Sequence, residues 1–158
     1  MENKIILTYI YSSTYQTRKT LDSLSRLNVP YYNAFTDRKR YMGNGFALQD
    51  IYKALKQLED KYEYCVYTDG GDTYLTKDFR PDENRLIYSA ERACYPHPHL
   101  AAEYPAPRQE GNPWRFLNGG NWVAPIPIMV EFMETYGLNK HSRDINGQHE
   151  LMVAYLQA

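Results

Sequence analysis

Cysteine is scarce in this sequence, with two among 158 residues, Cys65 and Cys94. Two are too few for a disulfide framework, and neither stands in a Cys-x-x-Cys or mixed Cys/His spacing of the kind that holds structural zinc. Charge of either sign is not in excess: 18 Lys plus Arg face 19 Asp plus Glu. That balance points neither to a nucleic-acid backbone nor to a disordered acidic tail. Long apolar runs are missing as well. No stretch approaches membrane-spanning length, and the segment behind Met1-Glu2-Asn3-Lys4 is too short and too polar in its flanks for a signal peptide. The expectation is a cytoplasmic protein with no nucleic-acid or membrane partner. A chain of this length buries a core without covalent staples, so one domain over 1–158 is expected. What is abundant is tyrosine, with 16 residues, which suits both ordinary cores and sites that contact rings.

Strand and helix signals alternate. Residues 4–11 (KIILTYIY) read as a buried strand, followed by the capping side chains Ser12, Ser13 and Thr14. Leu21, Leu24 and Leu27 recur at helical spacing until Asn28-Val29-Pro30 ends the pattern before a short strand at 31–34. A second helix is expected over 46–58, and residues 64–68 (YCVYT) form the third strand. Alternation of this kind predicts a mostly parallel, doubly wound sheet flanked by helices. Further strands are expected at 86–89 and 121–124. Between them, residues 96–113 hold five of the nine prolines and read as a surface excursion with a short helix around Leu100. Helices at 127–136 and from Gly147 onward complete the pattern. The last reaches Ala158 with no cap or polar tail, an ending that reads as a C-terminal truncation.

Chemistry concentrates where the third strand empties into Thr68-Asp69-Gly70-Gly71-Asp72. Ligands of open α/β sheets bind at the carboxyl ends of strands, and two close carboxylates repel unless a cation or proton lies between them. Oxygen ligands suit Mg²⁺ or Mn²⁺. The competing reading is an Asx-turn in which Gly70-Gly71 make the bend. A phosphatase of the haloacid dehalogenase type also places carboxylates behind an apolar strand. There the spacing is one residue shorter and the strand is the first, not the third.

Two later motifs decide between these readings: Ser89-Ala90-Glu91 with Cys94-Tyr95-Pro96, and Leu117-Asn118-Gly119-Gly120. With the acidic turn and Leu100-Ala101-Ala102-Glu103-Tyr104-Pro105, they make four motifs in the order found in the glycosyltransferase domain of the procollagen lysyl hydroxylases and its bacterial and viral relatives. The chain resembles that family firmly from about residue 64 to residue 124. The resemblance implies a GT-A fold, Rossmann-like, and transfer of a hexose from a UDP-sugar donor to a hydroxyl acceptor. It implies that Asp69 and Asp72 hold Mn²⁺ (or Mg²⁺) against the diphosphate as Lewis-acid help to the departing UDP. Asn118, Gly119 and Gly120 would bring an amide and close backbone to the donor or acceptor. The bland alternative for these three is a hairpin turn, for which Asn-Gly is the commonest signal. Glu91 orders the site or forms a surface ion pair; Cys94 and Trp122 are expected in the core. His97, His99 and His149 are expected to be solvated.

Three features depart from the family. Relatives carry Gly-Gly-Gly-x-Lys before the second helix, where this chain has Gly43-Asn44-Gly45 followed by Phe46-Ala47-Leu48. Relatives have Asp-Asp-Gln near the carboxyl end; here the matching glutamine is Gln148, which the resemblance implies is one of the donor-binding residues, preceded by Asn146-Gly147, with Asp144 nearby. A later histidine that completes the family's metal shell has no counterpart before Ala158. These departures support an alternative, a nucleotide-sugar-binding relative or fragment with weak or no turnover. No catalytic base is assigned.

Overall fold

The computed structural model describes residues 2–11, 15–35, 44–71, 73–76, 84–107, 109–140 and 146–158. Its centre is a five-stranded sheet built from β1 (Glu2–Tyr9), β2 (Tyr31–Asn33), β3 (Tyr62–Asp69), β4 (Ile87–Glu91) and β5 (Phe116–Pro125), in the order β2-β1-β3-β5-β4. The helices are α1 (Tyr15–Leu27), α2 (Asn44–Leu58), α3 (Ile126–Thr135) and α4 (Gly147–Gln157). Short 3₁₀ helices at Pro98–Ala102 and Leu138–Lys140 punctuate the loops. The first of these falls where Leu100 predicted it.

β1 pairs in parallel with β2 and β3, as the βαβ pattern requires. β5 runs antiparallel to both β3 and β4, so four strands share one direction and β5 alone is reversed. Nothing in its composition announces that reversal. It follows from the long excursion after β4, which returns the chain to the same end of the sheet from which β4 departs.

Periodicity explains the packing. α2 buries Leu48, Ile51, Ala54, Leu55 and Leu58 at helical spacing. They join Leu7, Tyr67, Trp122, Met129, Met133 and Leu151 in one core that draws on α2, α3, α4 and the facing strands. α1 tethers the segment beyond the acidic turn. The Thr20 hydroxyl donates to Thr73 O at 2.6 Å, the Ser23 hydroxyl accepts from the Leu75 amide at 3.1 Å, and Arg26 donates to Leu75 O at 3.1 Å. Those polar contacts explain why Thr20 and Ser23, both fully buried, are tolerated on the inner face of a helix.

Candidate functional site

β3 ends at Asp69, and the pairing of Thr68 with Asn121 sets the Asn118-Gly119-Gly120 segment beside it. This segment is not a hairpin turn. It lies inside β5, where the pairing with β4 jumps from Tyr88↔Trp122 to Ser89↔Asn118. A bulge of that kind bends the strand and turns its backbone groups out of the ladder. Asn-Gly had signalled a turn because both residues favour such irregular backbone; the tertiary pairing uses them for a bulge instead.

The extra backbone is held by side chains. Asn118 Oδ1 accepts the Gly120 amide at 3.0 Å and the Ser89 hydroxyl at 3.3 Å. Gln148, in the first turn of α4, accepts the Gly119 amide on Oε1 at 2.6 Å. Its Nε2 donates to Glu91 Oε1 at 2.9 Å and to Leu117 O at 2.5 Å. One amide side chain therefore ties three segments together. Its own position is set by Asn146, whose side chain caps α4 by accepting the Gln148 amide at 3.0 Å. Burial pushes the Glu91 carboxyl upward, opposed by a hydrogen bond from Asn118. Glu91 is thus part of the network that holds the bulge, and among the described residues it forms no ion pair.

Close approach explains the two glycines. A Cβ on Gly120 would stand 2.5 Å from Asp69 Oδ2 and 3.2 Å from Asn118 Oδ1. On Gly119 it would meet Gln148 Oε1 at 2.6 Å. Only glycine brings the β5 backbone this near to the carboxylate and the amide. The other Asp69 oxygen accepts the Tyr67 hydroxyl at 3.0 Å, and the Tyr67 ring stacks on Trp122 with centroids 5.3 Å apart. The carboxylate is consequently aimed by a buried aromatic pair.

Asp69, Gly119, Gly120 and Gln148 line one cavity of about 160 Å³, with Tyr67, Trp122 and the apolar side chains Leu48 and Ile51. That is below the roughly 300–1,000 Å³ of pockets that enclose a drug-sized ligand, so it is too small to enclose such a ligand whole. A larger groove of about 790 Å³ runs along β4 and shares no residue with it. The smaller cavity commands attention because the acidic turn, the bulge and Gln148 meet there. Asp72 and Asp144 lie outside the described residues. Among the described residues no group of three or more His, Cys, Asp or Glu side chains is arranged to hold a metal ion. Asp69 still fits one: an exposed carboxylate at a strand end, oriented by a hydroxyl, is the donor that Mg²⁺ or Mn²⁺ takes when phosphates and water complete its shell.

Trp122 and Cys94 are in the core, as expected, whereas Trp114 is 55% exposed beneath the Arg92 guanidinium, 5.8 Å from its ring centre. His99 is exposed, as expected, whereas His97 and His149 are half-buried: His149 packs its ring on His97, and its Nδ1 is buried. Sequence separation hid that contact, since the partners stand 52 residues apart and meet only because α4 folds back over the proline-rich loop.

A mixed sheet with one reversed strand, flanking helices and a carboxylate at the end of its third strand is the architecture expected of a GT-A glycosyltransferase domain. Over 99% of its length the chain superposes, at a TM-score of 0.55 and 11% identity, on 76% of a glycosyltransferase involved in the glycosylation of the major capsid of PBCV-1, a likeness of fold. Residues 32–145 match the PLOD GT domain family, and the chain belongs to it. It is 32% identical over 108 residues to the procollagen-lysine,2-oxoglutarate 5-dioxygenase 1 of Gallus gallus, covering 63% of this chain and 14% of that protein. Against the multifunctional procollagen lysine hydroxylase and glycosyltransferase LH3 of Homo sapiens it is 32% identical over 95 residues, 55% of this chain and 12% of the relative. The Drosophila melanogaster procollagen-lysine,2-oxoglutarate 5-dioxygenase is 30% identical over 54% of this chain and 13% of its own. The chain therefore matches about one seventh or less of the length of these relatives.

Proposed function

We propose that the domain binds a UDP-sugar through a divalent cation at Asp69 and Asp72 and transfers a hexose to a hydroxyl acceptor. The observation that carries this reading is the convergence of Asp69, Gly119, Gly120 and Gln148 on one cavity at the carboxyl end of β3. A bound Mn²⁺ or Mg²⁺ would supply Lewis-acid stabilisation of the diphosphate leaving group. The chain's own residues do the rest. Tyr67 orients the carboxylate, the two glycines admit ligand atoms close to the β5 backbone, and Gln148 keeps that backbone rigid through Glu91 and Leu117. Rigidity matters because a site that reorganises during the reaction loses the benefit of prealigned groups.

The test is calorimetric titration with UDP, with and without Mn²⁺, on the native chain and on the double variant Asp69→Asn, Asp72→Asn. Metal-dependent binding that disappears in the variant is the expected result. A folded native chain that binds no UDP in either condition would overturn the assignment.

One observation favours a second reading, a nucleotide-sugar binder with weak turnover. Where relatives carry a lysine before the second helix, Ala47 and Leu48 face the cavity and offer no positive charge to a phosphate. Release of UDP from a UDP-sugar in the presence of metal separates the two: an enzyme liberates it repeatedly, a binder retains it.

A further inference from the structure

The cavity beside Asp69 is lined by two unlike sets of residues. Asp69, Gly119, Gly120 and Gln148 form the polar set; Leu48 and Ile51 of α2, Met129 of α3 and Leu151 of α4, all buried, form the apolar one. The two meet at Gly119, where a Cβ would stand 2.6 Å from Gln148 Oε1 and 3.0 Å from Leu151 Cδ1. A volume of about 160 Å³ is too large for a packing defect, since folded cores hold few voids wider than one water molecule. It is close to the roughly 150 Å³ of an apolar cavity that takes one benzene ring.

The polar set is largely engaged within the protein. Gln148 Oε1 accepts the Gly119 N–H, and Asn118 Oδ1 accepts the Gly120 N–H. Both N–H groups of the Gln148 side chain are donated, one to Glu91 Oε1 and one to Leu117 O. The bulge and Gln148 therefore keep no amide donor for a sugar hydroxyl. Asp69 and the backbone of Gly147, at the start of α4, are the polar points against which a ligand can orient. A hydroxyl turned towards the apolar set would leave water and find no partner there, a cost that a methyl group does not incur.

We propose that the cavity selects a donor sugar that turns a methyl group towards Leu48, Ile51, Met129 and Leu151. Two kinds of sugar carry such a group: a 6-deoxyhexose, whose C6 is a methyl, and an N-acetylhexosamine, whose acetamido group ends in one. The inference rests on the nucleotide-sugar reading given above and narrows it, because a hexose with a full set of hydroxyls becomes the poorer ligand. Its scale is set by the apolar contact alone. A pocket that gains or loses one methyl-sized group discriminates by about tenfold to two-hundredfold.

The experiment is calorimetric titration of the full chain, with Mn²⁺ present, by UDP, UDP-glucose, UDP-6-deoxyglucose and UDP-N-acetylglucosamine. UDP alone tests the nucleotide reading, because it carries no sugar. The ratio between the sugar nucleotides tests the methyl pocket, because the nucleotide is common to them. At least one methyl-bearing donor should bind about tenfold tighter than UDP-glucose or more, and which one does so identifies the source of the methyl. Leu151→Asn keeps the branched shape and replaces both methyls with an amide. The preference should disappear in it, read as a ratio within the variant so that any change in UDP affinity cancels. A native chain that binds UDP but takes UDP-glucose as tightly as both methyl-bearing donors would overturn the methyl pocket and leave the nucleotide reading standing. No binding of UDP would overturn both, and a preference unchanged in Leu151→Asn would overturn the placement of the methyl. Should Leu151→Asn not fold, the comparison of donors on the native chain decides alone.

Discussion

On the β2-β1-β3 side of the sheet the strands are parallel and the elements meet through apolar side chains, with Leu7 on β1 and Leu55 on α2 fully buried. On the β5-β4 side the strands are antiparallel, the ladder is broken by a bulge, and polar side chains from α4 and β4 do the holding. The first half resembles any α/β core and could serve many chemistries. The second half gives up regular pairing so that backbone amides, glycines and a carboxylate meet at one point. Hydrophobic burial is not directional, so it fixes where the layers lie; hydrogen bonds are directional, and they fix where the reactive groups point.

If this contrast is right, substitutions in the first half should cost stability, and those in the second should cost binding. Leu55→Ala removes a fully buried side chain between α2 and the sheet, and should destabilise by about 2–5 kcal/mol in urea denaturation with UDP binding retained by the folded fraction. Gly70→Ala joins the halves. Its Cβ would collide with the Ile10 side chain and stand 2.9 Å from both Thr8 Oγ1 and Tyr9 O, so a loss of about 1–3 kcal/mol is expected, together with displacement of the acidic turn. A stability equal to the native chain would show that β1 yields there.

Gln148→Ala leaves the Gly119 amide without its acceptor and takes from Glu91 the donor that α4 supplies. It should cost about 1–3 kcal/mol and weaken UDP binding, which calorimetry on the folded variant would show. Gly120→Ala should shift stability by less than about 1 kcal/mol, because the Asp69 carboxylate is exposed and can swing aside, while metal-dependent UDP binding is lost. Retained binding there would mean that the carboxylate does not act from its present position. The smallest effect concerns Glu91→Gln. The folded chain holds the Glu91 proton more tightly than the unfolded chain, so this group's contribution becomes more favourable as pH falls through its native value towards that of a free carboxylate. The difference in stability between native and Glu91→Gln chains, followed by urea titration from about pH 7 to about pH 4, should therefore shift in favour of the native chain on acidification. A flat difference would place Glu91 outside the buried network.

The extent to which the sequence disclosed all this varied with the range of the interactions. α2 and α3 began and ended within two residues of their apolar periodicity, because 3.6-residue spacing and a proline start are local properties. Asp69 was visible because an apolar strand running into carboxylates and glycines is a contiguous pattern. The bulge was not visible: Asn118-Gly119-Gly120 carries the same local preference whether it turns a hairpin or interrupts a ladder, and only the pairing with β4 distinguishes the two. Nor was the role of Gln148, whose three partners come from β4 and β5, or the His97–His149 contact, which requires α4 to lie against the proline-rich loop.

By itself, then, the sequence determined the alternation of strands and helices, the composition of the core and the family, since each is written in short spacings or ordered motifs. Tertiary structure alone decided the reversal of β5, the approach of Gly120 to Asp69 and the bracing of the bulge by Gln148. These depend on distances between segments dozens of residues apart, which local preference does not encode and packing of the whole chain fixes.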